Sequence, residues 1–193
     1  MMSHFALQVV RDEHSALAAV LRSLSMMIGR GPQEQPERFF DVLRAMLFYI
    51  DEFPERLHHP KESQMLFPRI ARVAPHLQPV IRQLDTDHLD GEGKVRNLQH
   101  LLLAWELLGD TRRDSFSQAA EAYVQFYLDH MRIEETQLLP AAEELLTAQD
   151  WEELDTAFKL SRDPLAGGER DPAYNRLFTR IVMLAPSPIG VGP

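Results

Sequence analysis

Four stretches of this chain place histidine on the stripe that a helical bundle reserves for its core. In the first, Val10, His14, Leu17, Leu21, Leu24 and Ile28 step by four and three residues, the spacing that lines one face of an α-helix. In the second, Leu47, Ile50, His58, Glu62, Leu66 and Ile70 follow the same rule with one irregularity near Pro54. The third reads Leu77, Ile81, Leu84, His88, Glu92, Val95 and Leu102, which turns both His88 and Glu92 inward. The fourth reads Phe116, Ala120, Tyr123, Tyr127, His130, Glu134, Leu138 and Ala141. A fold built on these stripes brings four imidazoles and up to three carboxylates into one dry interior.

The remaining pattern supplies the frame. Periodicity is helical nearly throughout, and no stretch alternates convincingly with period two. One helix is expected from about Phe5 to Ile28, ended by Gly29 and Gly31-Pro32. A second starts after Pro36 and runs toward Ile70, bent or restarted at Pro54 and Pro60. After a turn marked by Pro75 and Pro79, a third covers about Val80 to Leu108 and a fourth about Asp114 to Leu146. Four long amphipathic helices joined by short turns predict an all-α, up-down-up-down four-helix bundle over residues 1–148. Residues 149–193 are expected to form a short helical C-terminal extension. Thr147 with Asp150 opens a helix from Trp151 to Leu160, Ser161 to Asp171 is a loop, and Pro172 to Leu184 is a last helix. The Pro/Gly-rich end, Ala185 to Pro193, is expected to fray.

Composition narrows the chemistry. Twenty-nine acidic against 20 basic residues give a formal charge of −9, and the basic residues are scattered singly, which excludes recognition of nucleic-acid phosphates. The absence of cysteine excludes disulfides, thiolate zinc sites, iron–sulfur clusters and cysteine nucleophiles. No basic-then-apolar leader and no apolar run of about 20 residues is present, so a cytoplasmic protein without membrane contact is the expectation.

Three of the inward histidines are followed one turn later by glutamate: His58/Glu62, His88/Glu92 and His130/Glu134. Residues at i and i+4 lie one above the other, so one helix can present an imidazole nitrogen and a carboxylate oxygen on the same side. Chance alone predicts fewer than one such pair from this composition. An ionised carboxylate in a dry core costs several kcal/mol unless it is paired or coordinates a metal, and the basic residues fall off the inner stripes. A cation is the simplest compensation. Mixed nitrogen and oxygen donors suit iron, manganese or zinc, and several carboxylates without sulfur point to two iron ions. The candidate ligands are His14, His58, Glu62, His88, His130 and Glu134. Glu92 is a further ligand or a hydrogen-bond partner to one. His59 lies about 100° around the helix from His58, as a seventh ligand or as a support that caps the site.

At these residues the chain resembles the hemerythrin-like, or HHE cation-binding, family. Phe53-Pro54-Glu55-Arg56-Leu57-His58-His59-Pro60-Lys61-Glu62 followed by Leu66-Phe67-Pro68 is similar to that family's second-helix signature. His130-Met131-Arg132-Ile133-Glu134-Glu135 followed by Leu138-Leu139-Pro140 resembles its fourth-helix signature, and His14 and His88 fall where the family supplies single histidines. The resemblance implies a diiron centre, carboxylate- and oxo-bridged, with histidines as terminal ligands and Glu62 and Glu134 as the carboxylate bridges. Oxygen-carrying members place a second histidine one turn after the first on the third helix. Glu92 stands there in this chain, which sets it apart from simple reversible oxygen carriage.

The functional expectation is a non-haem diiron protein that binds dioxygen, peroxide, nitric oxide or a related small ligand, for sensing, storage or scavenging of such ligands or of iron. The alternative is a diiron enzyme with peroxidase- or oxygenase-like activity, which requires an open coordination position and a proton donor. A metal-free structural or interaction bundle is the third reading, and it leaves the inward carboxylates without a partner. Any sensing output would need a partner protein, and the extension could contribute to a homodimer.

Overall fold

The computed structural model describes residues 4–160, 162–169, 171–186 and 189–190, which are helical almost throughout, with no β-strand among them. Helix α1 spans Phe5–Arg30 and ends where Gly31 takes a left-handed φ of 71° and returns its N–H to the Met27 carbonyl. Helix α2, Pro36–Ile50, starts on a proline, whose missing N–H costs nothing in a first turn. The chain then continues without a break through a π-helical stretch Asp51–His58, α3 (His59–Lys61), a π turn Glu62–Leu66 and α4 (Phe67–Val73). Pro54 and Pro60 therefore do not end the second helix. Each removes an N–H that α-winding would use, and the chain widens to i→i+5 bonding instead. Helix α5 runs Gln78–Leu108 and stops at Gly109, φ 85°. Helix α6, Arg113–Ile133, passes through a π turn Glu134–Leu138 into α7, Leu139–Leu145.

Helices α1, α2, α5 and α6 close a ring: α1 packs on α2 and α6, and α5 packs on the same two from the other side. The core within this ring is split in two. One apolar cluster holds Leu17 to Ile28, Phe39 to Phe53, Val95 to Trp105 and Phe116 to Met131. The other holds Ala6 to Val10, Leu66 to Ala74, Leu77 to Leu84 and Leu138 to Ala142. The gap between the two clusters contains His14 in the first helix, His58 and Glu62 in the second, His88 in the third and Glu134, one turn after His130, in the fourth, so a single polar layer crosses the bundle.

The chain beyond the bundle lies against it. Helix α8, Ala148–Leu160, opens with a reciprocal cap: the Thr147 hydroxyl donates to Asp150 at 2.7 Å, and the Asp150 N–H donates to Thr147 Oγ1 at 3.2 Å. It packs on α1, adding Trp151, Leu154 and Phe158 to one cluster. Helix α9, Asn175–Leu184, packs on α2 and adds Phe178 and Ile181 to the other. After α9, Ala185 is buried, and Ser23 Oγ donates to the Pro186 carbonyl at 3.0 Å while accepting from the Ile189 N–H at 3.3 Å. This part of the end is docked rather than frayed. Residues 187, 188 and 191–193, which the same expectation covers, lie outside the described residues, as do 161 and 170. No helix among the described residues is long and apolar enough to cross a membrane.

Candidate metal centre

The polar layer starts from a local device used twice. Glu62 and Glu134 each open a π turn, in which the Phe67 N–H returns to the Glu62 carbonyl and the Leu139 N–H to the Glu134 carbonyl. Pro68 and Pro140 follow each turn at matching positions, and without an N–H they release the carbonyls of Gln64 and Thr136 from α-type bonding. Such π turns are frequent at functional sites. Here they place two fully buried carboxylates face to face in the bundle interior.

Around them the imidazoles divide into two sets. His14 Nε2 lies 3.8 Å from Glu62 Oε1 and 3.2 Å from Glu134 Oε2, and His58 Nε2 lies 3.2 Å from Glu62 Oε1. On the other side, His88 Nε2 lies 3.6 Å from Glu62 Oε2 and 3.8 Å from Glu134 Oε1. His130 Nε2 is 3.1 Å from Glu134 Oε1 and 3.0 Å from His88 Nε2. Each glutamate thus turns one oxygen to the His14/His58 pair and the other to the His88/His130 pair. All four carboxylate oxygens, with His14 Nε2 and His58 Nε2, are buried without a hydrogen-bond partner among the described residues. With the imidazoles neutral, leaving these atoms unsatisfied costs on the order of 1–3 kcal/mol apiece, more for charged groups; protonation of His14 and His58 relieves part of it. Ligation of a cation removes that cost. Three groups of donor atoms meet within 4.8 Å: His14 with His58 and Glu62, His88 with His130, Glu62 and Glu134, and His59 with His88 and His130.

The second nitrogen of every ring is held. His14 Nδ1 is 3.0 Å from Glu135, His58 Nδ1 2.7 Å from Glu13, His88 Nδ1 2.9 Å from Ser63 Oγ, and His130 Nδ1 3.4 Å from Asp87. A proton kept on Nδ1 leaves the Nε2 lone pair facing the carboxylates, the tautomer that metal ligation needs.

Electrostatics follow the geometry. Burial works against charge on His14 and His58, but the facing carboxylates outweigh it. His14 is raised well above the ordinary histidine value, and His58 is raised to about 9. Burial and the neighbouring Glu62 oppose ionisation of Glu134, yet His130 and His14 hold it at about 2. His88, desolvated and beside His59 and His130, is pushed down to about 3.

The six expected ligands converge; of the two further candidates, only Glu92 lies elsewhere. Glu92 does not face this layer: its side chain is 44% exposed and ion-paired with Arg96 at 2.9 Å. The inner stripe of α5 steps from His88 by three to Gly91, then by four to Val95, and Gly91 is the buried residue. His59 is buried and does face inward, with one nitrogen within 4.8 Å of those of His88 and His130. Its ring, however, stacks on His88 at 4.2 Å and 11°, and on Tyr127 at 5.4 Å and 6°. His59 roofs the site, its Nδ1 3.0 Å from Glu55.

Glu55, Glu13 and Ser63 escaped the sequence reading. Glu55 is buried, accepts from Tyr127 Oη at 2.6 Å and Tyr123 Oη at 3.0 Å, and is raised by burial. Asp87 precedes His88 but serves His130, while Asp129 stays half exposed beside Arg132. His4 stacks on Trp151 at 4.1 Å, and His76 and His100 are exposed.

The family model of the hemerythrin HHE cation binding domain matches residues 6–142, and the chain belongs to that family. No curated protein matches the chain.

Proposed function

We propose that this chain is a non-haem diiron protein that binds dioxygen or a related small ligand such as peroxide or nitric oxide. His14 and His58 would hold one ion and His88 and His130 the other, with Glu62 and Glu134 each offering one oxygen to either side. The observation that carries this reading is the set of buried, unpartnered nitrogen and oxygen atoms divided between two sides of two carboxylates. A donor set of imidazole and carboxylate without sulfur suits iron. Two iron ions would supply the redox capacity for chemistry on a small ligand, and the protein supplies aim, dryness and access.

Access is narrow. A surface cavity of about 300 Å³, lined in part by Glu55, His59, Ser63, His88 and Glu92, reaches the His88 side of the layer from between the second and third bundle helices. It has ample room for a diatomic or a peroxide. Glu55 and His59 form part of the wall of that cavity, and the apolar clusters above and below keep water from the rest of the layer. On this reading the protein works in the cytoplasm without nucleic acid or membrane, and a sensing role passes its output to a partner protein or a second copy of the chain.

The test is iron per chain in protein purified without a histidine tag, in air and anaerobically, with the visible spectrum of each. Two irons per chain, with the near-ultraviolet absorption of bridged ferric iron, are expected. Both are lost in Glu62→Ala and in Glu134→Ala. One zinc per chain, or no metal under either condition, refutes the reading. Consumption of peroxide rather than reversible binding would make the protein an enzyme.

A further inference from the structure

Glu13 is buried next to His14 in sequence but turns away from the converging atoms. Its Oε2 lies 2.7 Å from His58 Nδ1 and 3.4 Å from Lys61 Nζ, and its Oε1 accepts the backbone N–H of Asp163 at 2.9 Å. Asp163 lies 150 residues further on, between α8 and α9. It is itself buried: its carboxylate accepts from the Tyr49 hydroxyl on α2 and from the Leu165 N–H, closing the short turn Pro164–Ala166. Next to it, Lys61 Nζ sits 4.7 Å from the centre of the Phe158 ring of α8. A line of contacts therefore runs from the segment after the bundle, through Glu13, to one imidazole of the polar layer.

We infer that the segment after the bundle is a working part of the metal centre: by seating the Asp163 N–H against Glu13, it sets the tautomer and aim of His58 and so governs loading of the ion position that His58 shares with His14. The inference rests on the reading of His58 as a ligand. A carboxylate held at both oxygens keeps one orientation, and the Nδ1 proton it holds leaves Nε2 free to ligate. Without the Asp163 N–H, Glu13 keeps only donors on its Oε2 side and is free to turn toward Lys61. The other three imidazoles are held from within the bundle, by Glu135, Ser63 and Asp87. Releasing the segment therefore weakens one ion position and spares the other. Coupling is reciprocal, so loading the ion also tightens the segment.

The experiment uses the full-length protein and ferrous iron. Asp163→Pro deletes the donor N–H at a residue whose φ of −63° already suits proline, and Asp163→Ala removes the carboxylate while keeping the N–H. Glu13→Gln alters the positioning residue itself. Glu13→Gln and Asp163→Pro are expected to weaken one of two irons by roughly tenfold to a hundredfold, with one of two Mössbauer doublets lost. Asp163→Ala should lose less than Asp163→Pro. In wild type, hydrogen exchange at the Asp163 amide should slow on iron loading, and this measurement does not depend on how well any variant folds. If wild type loads two irons while the variants load both with unchanged affinity, or lose both equally, the inference fails. An Asp163 amide that exchanges at the same rate loaded and stripped also overturns it. A wild type that takes up no iron instead overturns the reading of the site.

Discussion

Two glycines in one helix, two residues apart, should respond to the same substitution with opposite signs. A glycine inside a helix costs about 0.5–1 kcal/mol relative to alanine, so wherever there is room the exchange stabilises. Gly93 has room: a Cβ there meets nothing within 4 Å. Gly93→Ala should stabilise by about 0.5–1 kcal/mol, a rise in Tm of roughly 1–4 °C for a chain of this size. A Cβ on Gly91 would sit 1.8 Å from Tyr127 Oη, 2.9 Å from Tyr127 Cζ and 2.9 Å from Glu55 Oε1. Tyr127 cannot retreat freely, being fully buried with His59 stacked on its face and Phe126 at its edge. Overpacking costs about 1–3 kcal/mol, and loss of the Tyr127–Glu55 bond about 1.5–3 kcal/mol. Against a propensity gain of about 1 kcal/mol, Gly91→Ala should be destabilised by about 1.5–5 kcal/mol. The assay is denaturant unfolding of both variants at fixed iron loading. Adding Tyr127→Phe to Gly91→Ala removes the atom at 1.8 Å and should cost less than the sum of the two single changes. If Gly91→Ala proves as stable as Gly93→Ala, the Tyr127 hydroxyl does not lie beneath α5 and the roof over His88 is built differently.

Other consequences follow from the same geometry. Glu92→Ala should leave iron per chain unchanged and alter stability by less than about 0.5 kcal/mol, since an exposed pair with Arg96 contributes little; loss of iron would return Glu92 to the ligand set. Iron loading at pH 7 should release about two protons per chain to an indicator dye, because stripped His14 is raised well above its ordinary value and His58 to about 9, and both must be neutral to ligate. No release would mean that the imidazoles are not charged before loading. These raised values support the stripped protein fully below about pH 6.5, and that support is lost as the pH rises through about 9. The stripped form should therefore lose stability over this interval while the loaded form does not. Burial raises Asp163 to about 6, so the folded state holds its proton more tightly than the unfolded chain does, and stability falls as pH climbs from about 4 to 6. Asp163→Asn should flatten that part of the wild-type profile, and an unchanged slope would refute the assignment.

The bundle and the six converging side chains were legible because a histidine interrupting a leucine stripe is conspicuous at a spacing of three and four. The same logic failed at Gly91. Glycine has no side chain to register as apolar, so the acid beside it stood in for it on the α5 stripe. The prolines at 54 and 60 read as a bend or a restart because sequence periodicity assumes one winding. The chain instead widened to π turns, which also carried His59 to the inner side of the helix. Glu55 enters the interior within that same irregular stretch, where no regular spacing applies.

Glu13 is a different case, because a signal for it exists. Beside the stripe that carries His14, α1 has a second one: Ala6, Val9, Glu13, Ala16, Val20, Ser23 and Met27, stepping by three and four and all buried. A helix in a plain four-membered ring needs one such face, and a second requires something else to lie against it. The structure puts the chain after the bundle there. The Ala6 N–H donates to Asp155 at 2.8 Å, Glu13 accepts from Asp163, and Ser23 bonds to Pro186. An acid in the middle of a buried stripe that lies between the covering segment and the adjacent helix must find its donors in both, and Glu13 does, at Asp163 and at His58. The second stripe thus ties the far end of the chain to the metal centre, and a side chain at position 13 that cannot accept two hydrogen bonds should disturb both at once.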